Sequence, residues 1–150
     1  MVIKNLVFSG GGPHGICEMG AMYQLVNENI VDINNIEKLY GSSIGGCCAA
    51  LFLLEYDMSD MYDYMVKRPW NKAFKFESDD ILEIISNGGY MDKLFKIIRE
   101  EIYIKLCDAK DCAESMTLKD FYIKTNKELY LYTVDVLDFE VVELSYKSHP

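Results

Sequence analysis

A serine between two glycines is the residue in this chain whose setting best fits nucleophilic chemistry. Gly41-Ser42-Ser43-Ile44-Gly45 fits the pattern G-x-S-x-G. In this pattern the serine occupies a sharp turn from a strand into a helix, and the glycines remove side chains that would collide there. The positive end of the helix dipole faces charge that develops near the hydroxyl. The motif predicts Ser43 as a nucleophile; the alternative is a tight turn whose small residues only allow close packing.

A second glycine-rich segment, Gly10-Gly11-Gly12-Pro13-His14-Gly15, lies nearer the amino terminus. Exposed backbone N–H groups in such a loop form an oxyanion hole for a tetrahedral acyl intermediate. An oxyanion loop and a nucleophilic serine are complementary parts of one acyl-transfer site. The two motifs together are therefore far more specific than either one alone.

The same loop has a competing interpretation as a dinucleotide-binding turn. Gly10, Gly12 and Gly15 satisfy G-x-G-x-x-G, which holds a pyrophosphate in that fold. The fold also needs an acidic residue about 20 positions further on. Asp32 and Glu37 are near that distance, but Asp32 falls in a predicted loop and Glu37 at the start of a predicted strand. A dinucleotide site also gives no reason for the serine turn, so the oxyanion loop is favoured.

The elements that position both motifs follow from composition and periodicity. Val2–Ser9 and Ile36–Tyr40 are predicted strands, because they are rich in β-branched and aromatic residues and are bounded by polar or glycine turns. Apolar residues at helical spacing predict helices at Gly15–Asn27 and Cys47–Tyr56. This alternation is typical of a parallel sheet with helical crossovers. Consecutive parallel strands end at the same edge of a sheet, so the loop and the serine are expected to lie together.

The rest of the chain is predicted to be helical in its middle and to end in a β-hairpin. Thr117 is a predicted cap for the last helix, and Asn87-Gly88-Gly89 a predicted helix stop. The predicted helices are Asp60–Val66, Asp79–Ser86, Met91–Leu106 and Leu118–Lys124, and the hairpin strands are Leu129–Val136 and Phe139–Tyr146 around Leu137-Asp138.

With FSGGGPHG and YGSSIGG in place, the sequence resembles the patatin-like phospholipases, which are serine acyl hydrolases. The resemblance implies a three-layer α/β/α fold with a mainly parallel central sheet. Residues 1–150 would form the amino-terminal part of one such domain and lack its carboxy-terminal elements. It further implies phospholipase A-type ester hydrolysis, with Ser43 as the nucleophile, Gly10, Gly11 and Gly12 as the oxyanion hole, and a lipid or fatty-acyl ester as the substrate. His14 stands where the family usually has Arg or Lys.

The same resemblance implies a general base that the chain does not contain. The family pairs its serine with an aspartate in an Asp-Gly turn, and this sequence has no Asp-Gly pair. Ser43, then Asp135 or Asp138, then His149 would give the order of an α/β-hydrolase triad. A solvent-facing role is favoured for Asp135, a turn-forming role for Asp138 and a mobile chain end for His149. Because a serine hydroxyl is a poor nucleophile without a base, a non-catalytic lipid- or acyl-binding remnant is the alternative to an enzyme.

Charge and cysteine content narrow the range of partners. The chain has 15 basic and 24 acidic residues, a net charge of −9, which disfavours nucleic acid and strongly anionic membranes. Neutral lipids, with transient contact at a membrane surface, remain compatible. Five cysteines without zinc-site spacing indicate reduced thiols and no metal, and no cofactor is expected. With no signal peptide or transmembrane segment in the sequence, a cytoplasmic location is expected; the oligomeric state is left open.

Overall fold

The computed structural model describes residues 2–54, 57–67 and 116–150. The predicted helices at Asp79–Ser86 and Met91–Leu106 and the predicted stop at Asn87-Gly88-Gly89 lie outside the described residues. Single 3₁₀ turns occur at Gly12–His14 and Ile33–Asn35. The main elements in chain order are β1 (Asn5–Phe8), α1 (Gly15–Asn27), β2 (Lys38–Ser42), α2 (Ile44–Leu53), α3 (Met58–Lys67), α4 (Leu118–Thr125), β3 (Glu128–Val134) and β4 (Val141–Leu144).

The strands form one mixed sheet in the order β1-β2-β3-β4. The first three strands are parallel, with Phe8 opposite Gly41 and Ser42 opposite Tyr132. The last pairing is antiparallel, with Val134 opposite Val141. The parallel arrangement predicted for the first two strands is confirmed, and both of them lead into the candidate site at their carboxyl ends. The architecture is an α/β fold with a mainly parallel sheet.

The core lies between α2 and one face of the sheet. Strand residues alternate between the two faces, so Leu39 and Leu129 are buried while their neighbours are more exposed. Helix α2 covers this face with Ala49 and Phe52, both completely buried, and the ring of Phe52 lies 6.2 Å from that of Phe8. The sequence of α2 is apolar on every side, and all of its residues are buried or half-buried. This packing fixes the start of α2, and with it the serine turn, against the sheet.

Two elements near the end of the described chain follow local signals. The Thr117 side chain accepts a hydrogen bond from the Asp120 N–H, and Asp120 accepts one from the Thr117 N–H, a reciprocal capping box for α4. Asn126 ends that helix in the left-handed conformation with φ +53°. The predicted cap, the short helix and the hairpin are therefore confirmed. Among the described residues, no helix is both long and apolar enough to cross a membrane.

Several predicted boundaries are wrong. Strand β1 is shorter than the predicted Val2–Ser9, and β2 covers Lys38–Ser42 rather than Ile36–Tyr40. Helix α2 begins at Ile44 rather than Cys47, because Gly45 and Gly46 are helical despite their low intrinsic propensity. The hairpin strands are shorter than predicted, and residues 135–140 connect them rather than a two-residue turn. Asp135 accounts for this longer connection, since its carboxylate accepts a hydrogen bond from the Leu137 N–H at 2.7 Å. This contact forms an Asx turn, in which the aspartate side chain takes part in the chain reversal. The connection is therefore longer than two residues.

Candidate active site

Ser43 occupies a sharp turn between β2 and α2 with a backbone conformation that residues other than glycine rarely adopt. Its φ is +53° and its ψ is −128°, and it is solvent-exposed. Helix α2 starts at the next residue, so the first amides of that helix, at Ile44 and Gly45, have no intrahelical acceptor. Strain of this kind costs about 1–3 kcal/mol and is concentrated at functional sites. A strand, a strained exposed serine and a helix in this order have the geometry of a nucleophile elbow.

Three buried motif glycines allow the backbone to approach closely around this turn. A Cβ on Gly45 would lie 2.4 Å from the Ser9 carbonyl oxygen, and one on Gly41 would lie 2.6 Å from the Gly46 Cα. A Cβ on Gly15 would lie 2.4 Å from a side-chain carbon of Ile44. The helix that follows the serine is therefore packed directly on backbone atoms at the end of β1.

The glycine loop lies beside the serine turn, as the parallel topology predicts. A Cβ built on Gly10 would be 3.5 Å from the Ser43 Cβ, which places these two residues next to each other. Gly10, Gly11 and Gly12 are all exposed, and Gly12 has φ +55°. The loop thus keeps its backbone open to solvent at the edge that carries the serine. His14, also exposed, has its Nδ1 3.2 Å from the Gly11 carbonyl oxygen.

Glu18, which is not among the predicted site residues, anchors the start of this loop. Its Oε1 accepts hydrogen bonds from the Ser9 N–H at 2.9 Å and from the Ser9 Oγ at 2.6 Å. Its Oε2 is buried and has no hydrogen-bond partner among the described residues. Ser9 directly precedes Gly10, so the carboxylate holds the point where the chain leaves β1. An acidic residue in the first turn of a helix that follows a glycine loop is the signal that could have revealed it.

The two thiols after the serine are poor competitors for the role of nucleophile. Burial raises the pKa of Cys47 above its ordinary value. Burial raises the pKa of Cys48 to about 12, with smaller contributions from the charges of Glu18 and Cys47. A thiol is nucleophilic only as the thiolate, so both groups stay protonated and weakly reactive near neutral pH. Ser43, by contrast, is solvent-exposed.

His149, one of the candidate bases named from the sequence, is not brought to Ser43. Strand β4 runs back from the serine edge, and Lys147, beyond its end, contacts Glu128 at the amino end of β3 at 2.8 Å. His149 follows two residues later and contacts Ser148. With about 3.3 Å per strand residue, Glu128 lies roughly 13 Å back from the level of Ser42. His149 therefore lies toward the opposite edge of the sheet.

Asp135 and Asp138 belong to the connection between β3 and β4. The Asp135 carboxylate accepts from the N–H groups of Leu137 at 2.7 Å and of Asp138 at 3.4 Å. Both aspartates are exposed. The turn position of Asp138 agrees with the prediction, whereas Asp135, predicted in the first hairpin strand, lies in the connection and accepts hydrogen bonds there.

The acidic residues of the dinucleotide interpretation lie at the wrong edge of the sheet. Asp32 accepts hydrogen bonds from Asn34 and Asn35 in its own turn, before β2 begins. Glu37 forms an ion pair with Lys4 at 2.5 Å, also at the amino ends of the strands. A ribose-binding acid would be needed beside the glycine loop, at the carboxyl ends. In addition, the Ser9 N–H already donates to the Glu18 carboxylate, so this N–H is not free to bind a pyrophosphate and a second negative charge would lie close by.

No group of three or more metal-ligating side chains occurs within residues 2–54, 57–67 and 116–150.

Replacing Ser43 with glycine is expected to stabilise the fold while removing the hydroxyl. Glycine adopts a positive φ without the steric cost that serine bears, so the free energy of unfolding should rise by about 1 kcal/mol. Ser43→Ala retains the Cβ and the strain and should not show this gain. Chemical denaturation of both variants measures the difference. Equal stability of Ser43→Gly and Ser43→Ala would contradict the strained conformation at this position.

Comparison with known proteins defines the class to which this fold and site belong. The family model for patatin-like phospholipases matches residues 6–128, which include β1 from its second residue, the glycine loop, the serine turn and the first residue of β3. The chain belongs to the patatin-like phospholipase family.

Individual relatives are distant and longer. The chain is 30% identical over 111 residues to an uncharacterized protein, R571, of Acanthamoeba polyphaga mimivirus, which covers 70% of this chain and 37% of that protein. The fold is similar to that of ExoU from the type III secretion system of Pseudomonas aeruginosa, in its complex with SpcU (TM-score 0.61, 17% identity, 99% of this chain and 36% of ExoU). A second ExoU structure gives a TM-score of 0.58 at 14% identity, over 97% of this chain and 36% of that one. The chain thus spans about a third of the length of these proteins.

Proposed function

We propose that this chain carries the nucleophile and the oxyanion loop of a lipid acyl hydrolase, with Ser43 attacking a fatty-acyl ester and Gly10, Gly11 and Gly12 binding the oxyanion. The observation that carries the proposal is the positive φ of an exposed serine at a strand-to-helix turn beside the glycine loop. Membership in the patatin-like phospholipase family supports lipid esters as the substrate class.

The chemistry follows from these groups. The Ser43 Oγ attacks the ester carbonyl carbon, its proton passes to a base, and the carbonyl oxygen takes the negative charge. Backbone N–H groups aimed at that oxygen stabilise the intermediate, and each such donor is worth about 10²–10³ in rate. The intermediate then collapses by expelling the alcohol, which takes up a proton, and leaves an acyl group on Ser43. Water attacks this acyl-enzyme, releases the fatty acid and returns the proton to the serine oxygen.

The general base is left unassigned. The chain has no Asp-Gly pair, the Asp135 carboxylate accepts hydrogen bonds within its own turn, and His149 lies toward the opposite edge of the sheet. A fluorophosphonate suits this situation, because fluoride is a good leaving group and the phosphoryl oxygen occupies the oxyanion site. Its reaction with serine reports on the nucleophile and the loop and makes less demand on a base than ester hydrolysis does.

Labelling with a fluorophosphonate probe tests the proposal. The wild-type chain is expected to become labelled on the peptide that contains Ser43, and Ser43→Ala is expected to lose at least about 99% of the labelling rate, as for loss of a nucleophile. Ser42→Ala is the matched control, since it removes the neighbouring hydroxyl and should still be labelled. Equal labelling of wild type and Ser43→Ala would remove the nucleophile assignment.

A second candidate function is lipid or acyl binding without turnover, which the missing Asp-Gly pair favours. In that case a fatty-acyl ester binds equally to wild type and Ser43→Ala, and neither protein forms a product. Titration of both proteins with a fluorescent phosphatidylcholine, followed by analysis for free fatty acid, distinguishes the two functions. Fatty acid released by wild type and not by Ser43→Ala would establish the enzyme.

A further inference from the structure

An apolar cluster protrudes at the connection between β3 and β4. We define the hairpin tip as residues 134–141. Five of the eleven large apolar side chains that are exposed within the described ranges lie in these eight residues, so they form a local cluster rather than scattered surface positions. They are Val134 (52% exposed), Val136 (79%), Leu137 (84%), Phe139 (82%) and Val141 (72%). Side chains this exposed contribute little packing to the folded chain.

The backbone of the hairpin tip is held in place by its own hydrogen bonds. The Asp135 N–H donates to the Glu140 carbonyl at 2.9 Å, and the Phe139 N–H donates to the Asp135 carbonyl at 2.9 Å. The Asp135 carboxylate accepts from the Leu137 N–H. Phe139 has φ +56°, a conformation that is unfavourable for a bulky residue. The connection thus presents Leu137 and Phe139 to solvent on a defined turn at the cost of local strain.

The hairpin tip lies at the same edge of the sheet as the candidate active site. Ser42, directly before the proposed nucleophile, pairs with Tyr132 on the neighbouring strand β3. Strand β3 continues two residues past this pair to Val134. With about 3.3 Å per residue and about 4.8 Å between strands, the tip begins roughly 7 Å beyond the level of Ser42 on the adjacent strand. A surface that touches the tip is therefore brought to the edge where Ser43 is exposed.

The charge of the hairpin tip and of the whole chain determines which kind of surface the tip can contact. Asp135, Asp138 and Glu140 are exposed in the tip, and no lysine or arginine occurs between Glu128 and Tyr146. The whole chain has a net charge of −9, so contact with an anionic surface is unfavourable. A stable protein interface uses about 20–30 residues a side, whereas this cluster offers five apolar side chains on a narrow turn. The small apolar area fits shallow insertion beneath neutral headgroups, with the three carboxylates left at the level of the headgroups.

We infer that the hairpin tip is a docking element for a zwitterionic lipid surface, into which Leu137 and Phe139 insert while the edge that carries Ser43 faces the lipid. This inference rests on the proposed function, since a tip beside Ser43 is useful for catalysis only if the lipid ester comes from a membrane. The docking itself is a binding event that needs no turnover.

Flotation with phosphatidylcholine vesicles tests the inference. It is carried out in Ser43→Ala, so that the result is independent of hydrolysis and of the proposed catalytic role. The chain is expected to float with the vesicles, and Leu137→Ser combined with Phe139→Asn should lower partitioning at least about tenfold, because two large apolar side chains are lost. Asparagine tolerates the left-handed conformation at position 139, so the variant is expected to keep the fold, and its melting temperature is measured alongside.

The matched control is Ile123→Ser on α4, the helix that precedes the amino end of β3, because Ile123 is also exposed (68%). This variant is expected to float like the parent. Added phosphatidylserine should weaken flotation. Unchanged flotation of the double variant, no flotation of the parent, or stronger binding to phosphatidylserine would each overturn the inference. A change of sedimentation from dimer to monomer in the double variant without a change in flotation would overturn it in favour of a protein contact.

Discussion

Replacing Gly45 with alanine is expected to lower the free energy of unfolding by about 3 kcal/mol and to abolish fluorophosphonate labelling of Ser43. The added Cβ would lie 2.4 Å from the Ser9 carbonyl oxygen and 2.5 Å from that of Phe8. Both atoms belong to the backbone, so no side-chain rotation relieves the contact. The first turn of α2 must move away from the end of β1, and this movement separates the serine turn from the glycine loop.

Gly20→Ala is the matched control for this prediction. Gly20 lies inside α1, and a Cβ built there meets no atom within 4 Å. Alanine is the better helix former, so this variant should gain about 1 kcal/mol and keep its labelling. Urea denaturation and the labelling rate of the two variants are measured side by side. Gly45→Ala that unfolds at the wild-type midpoint and is labelled at the wild-type rate would show that the close contact at this position is not needed.

The parts of the fold that could be predicted from the sequence have local causes. Helix α1 covers the predicted residues Gly15–Asn27, because its apolar spacing and its preceding loop are both visible in the sequence. Helix α4 is capped by Thr117 as predicted, since a capping box needs only nearby residues. The strand–loop–helix order around Gly10 and Ser43 is equally local. Their proximity then follows from parallel topology alone.

The parts that were missed depend on tertiary contacts. The start of α2 at Ile44 follows from packing against the end of β1, which overrides the low helix propensity of Gly45 and Gly46. Lys127 is buried, and its Nζ donates to the carbonyl oxygens of Ile33 at 2.6 Å and Ile36 at 2.9 Å. A lysine in a sequence predicts a solvent-exposed side chain. Only the fold shows that two carbonyl oxygens accept hydrogen bonds from this one. The contact of Glu18 with Ser9 is also made by the fold, although the position of Glu18 in the first turn of α1 is a sequence signal.

The residue types that could do chemistry were visible in the sequence, whereas the groups that hold them in place were not. The loop that starts at Gly10 has few side chains of its own, so its position depends on what fixes its two ends. Gly15 is packed on Ile44 at one end, and at the other end Ser9 is bonded to Glu18. The loop can stay open to solvent and still be ordered.

Glu18→Ala is therefore expected to slow the labelling of Ser43 by about 10- to 100-fold, since a displaced oxyanion donor is worth about 10²–10³ when it is lost entirely. Glu18→Gln keeps an acceptor oxygen for both Ser9 donors and should restore most of the rate. The measurement is the dependence of the labelling rate on probe concentration. A positioning role lowers the maximal rate of the folded protein, whereas a purely structural role lowers the melting temperature and leaves that rate unchanged.

Glu28→Ala is the matched control, because Glu28 directly follows the last residue of the helix that contains Glu18. Glu28 is exposed and bonds the side chain of Gln24 at 2.6 Å, at the far end of α1 from the loop. Its removal should leave the labelling rate at the wild-type value. If Glu18→Ala and Glu28→Ala are labelled at the same maximal rate, the carboxylate of Glu18 does not position the loop. If Glu18→Ala is slow and Glu18→Gln is equally slow, it is the negative charge rather than the pair of hydrogen bonds that matters at this position.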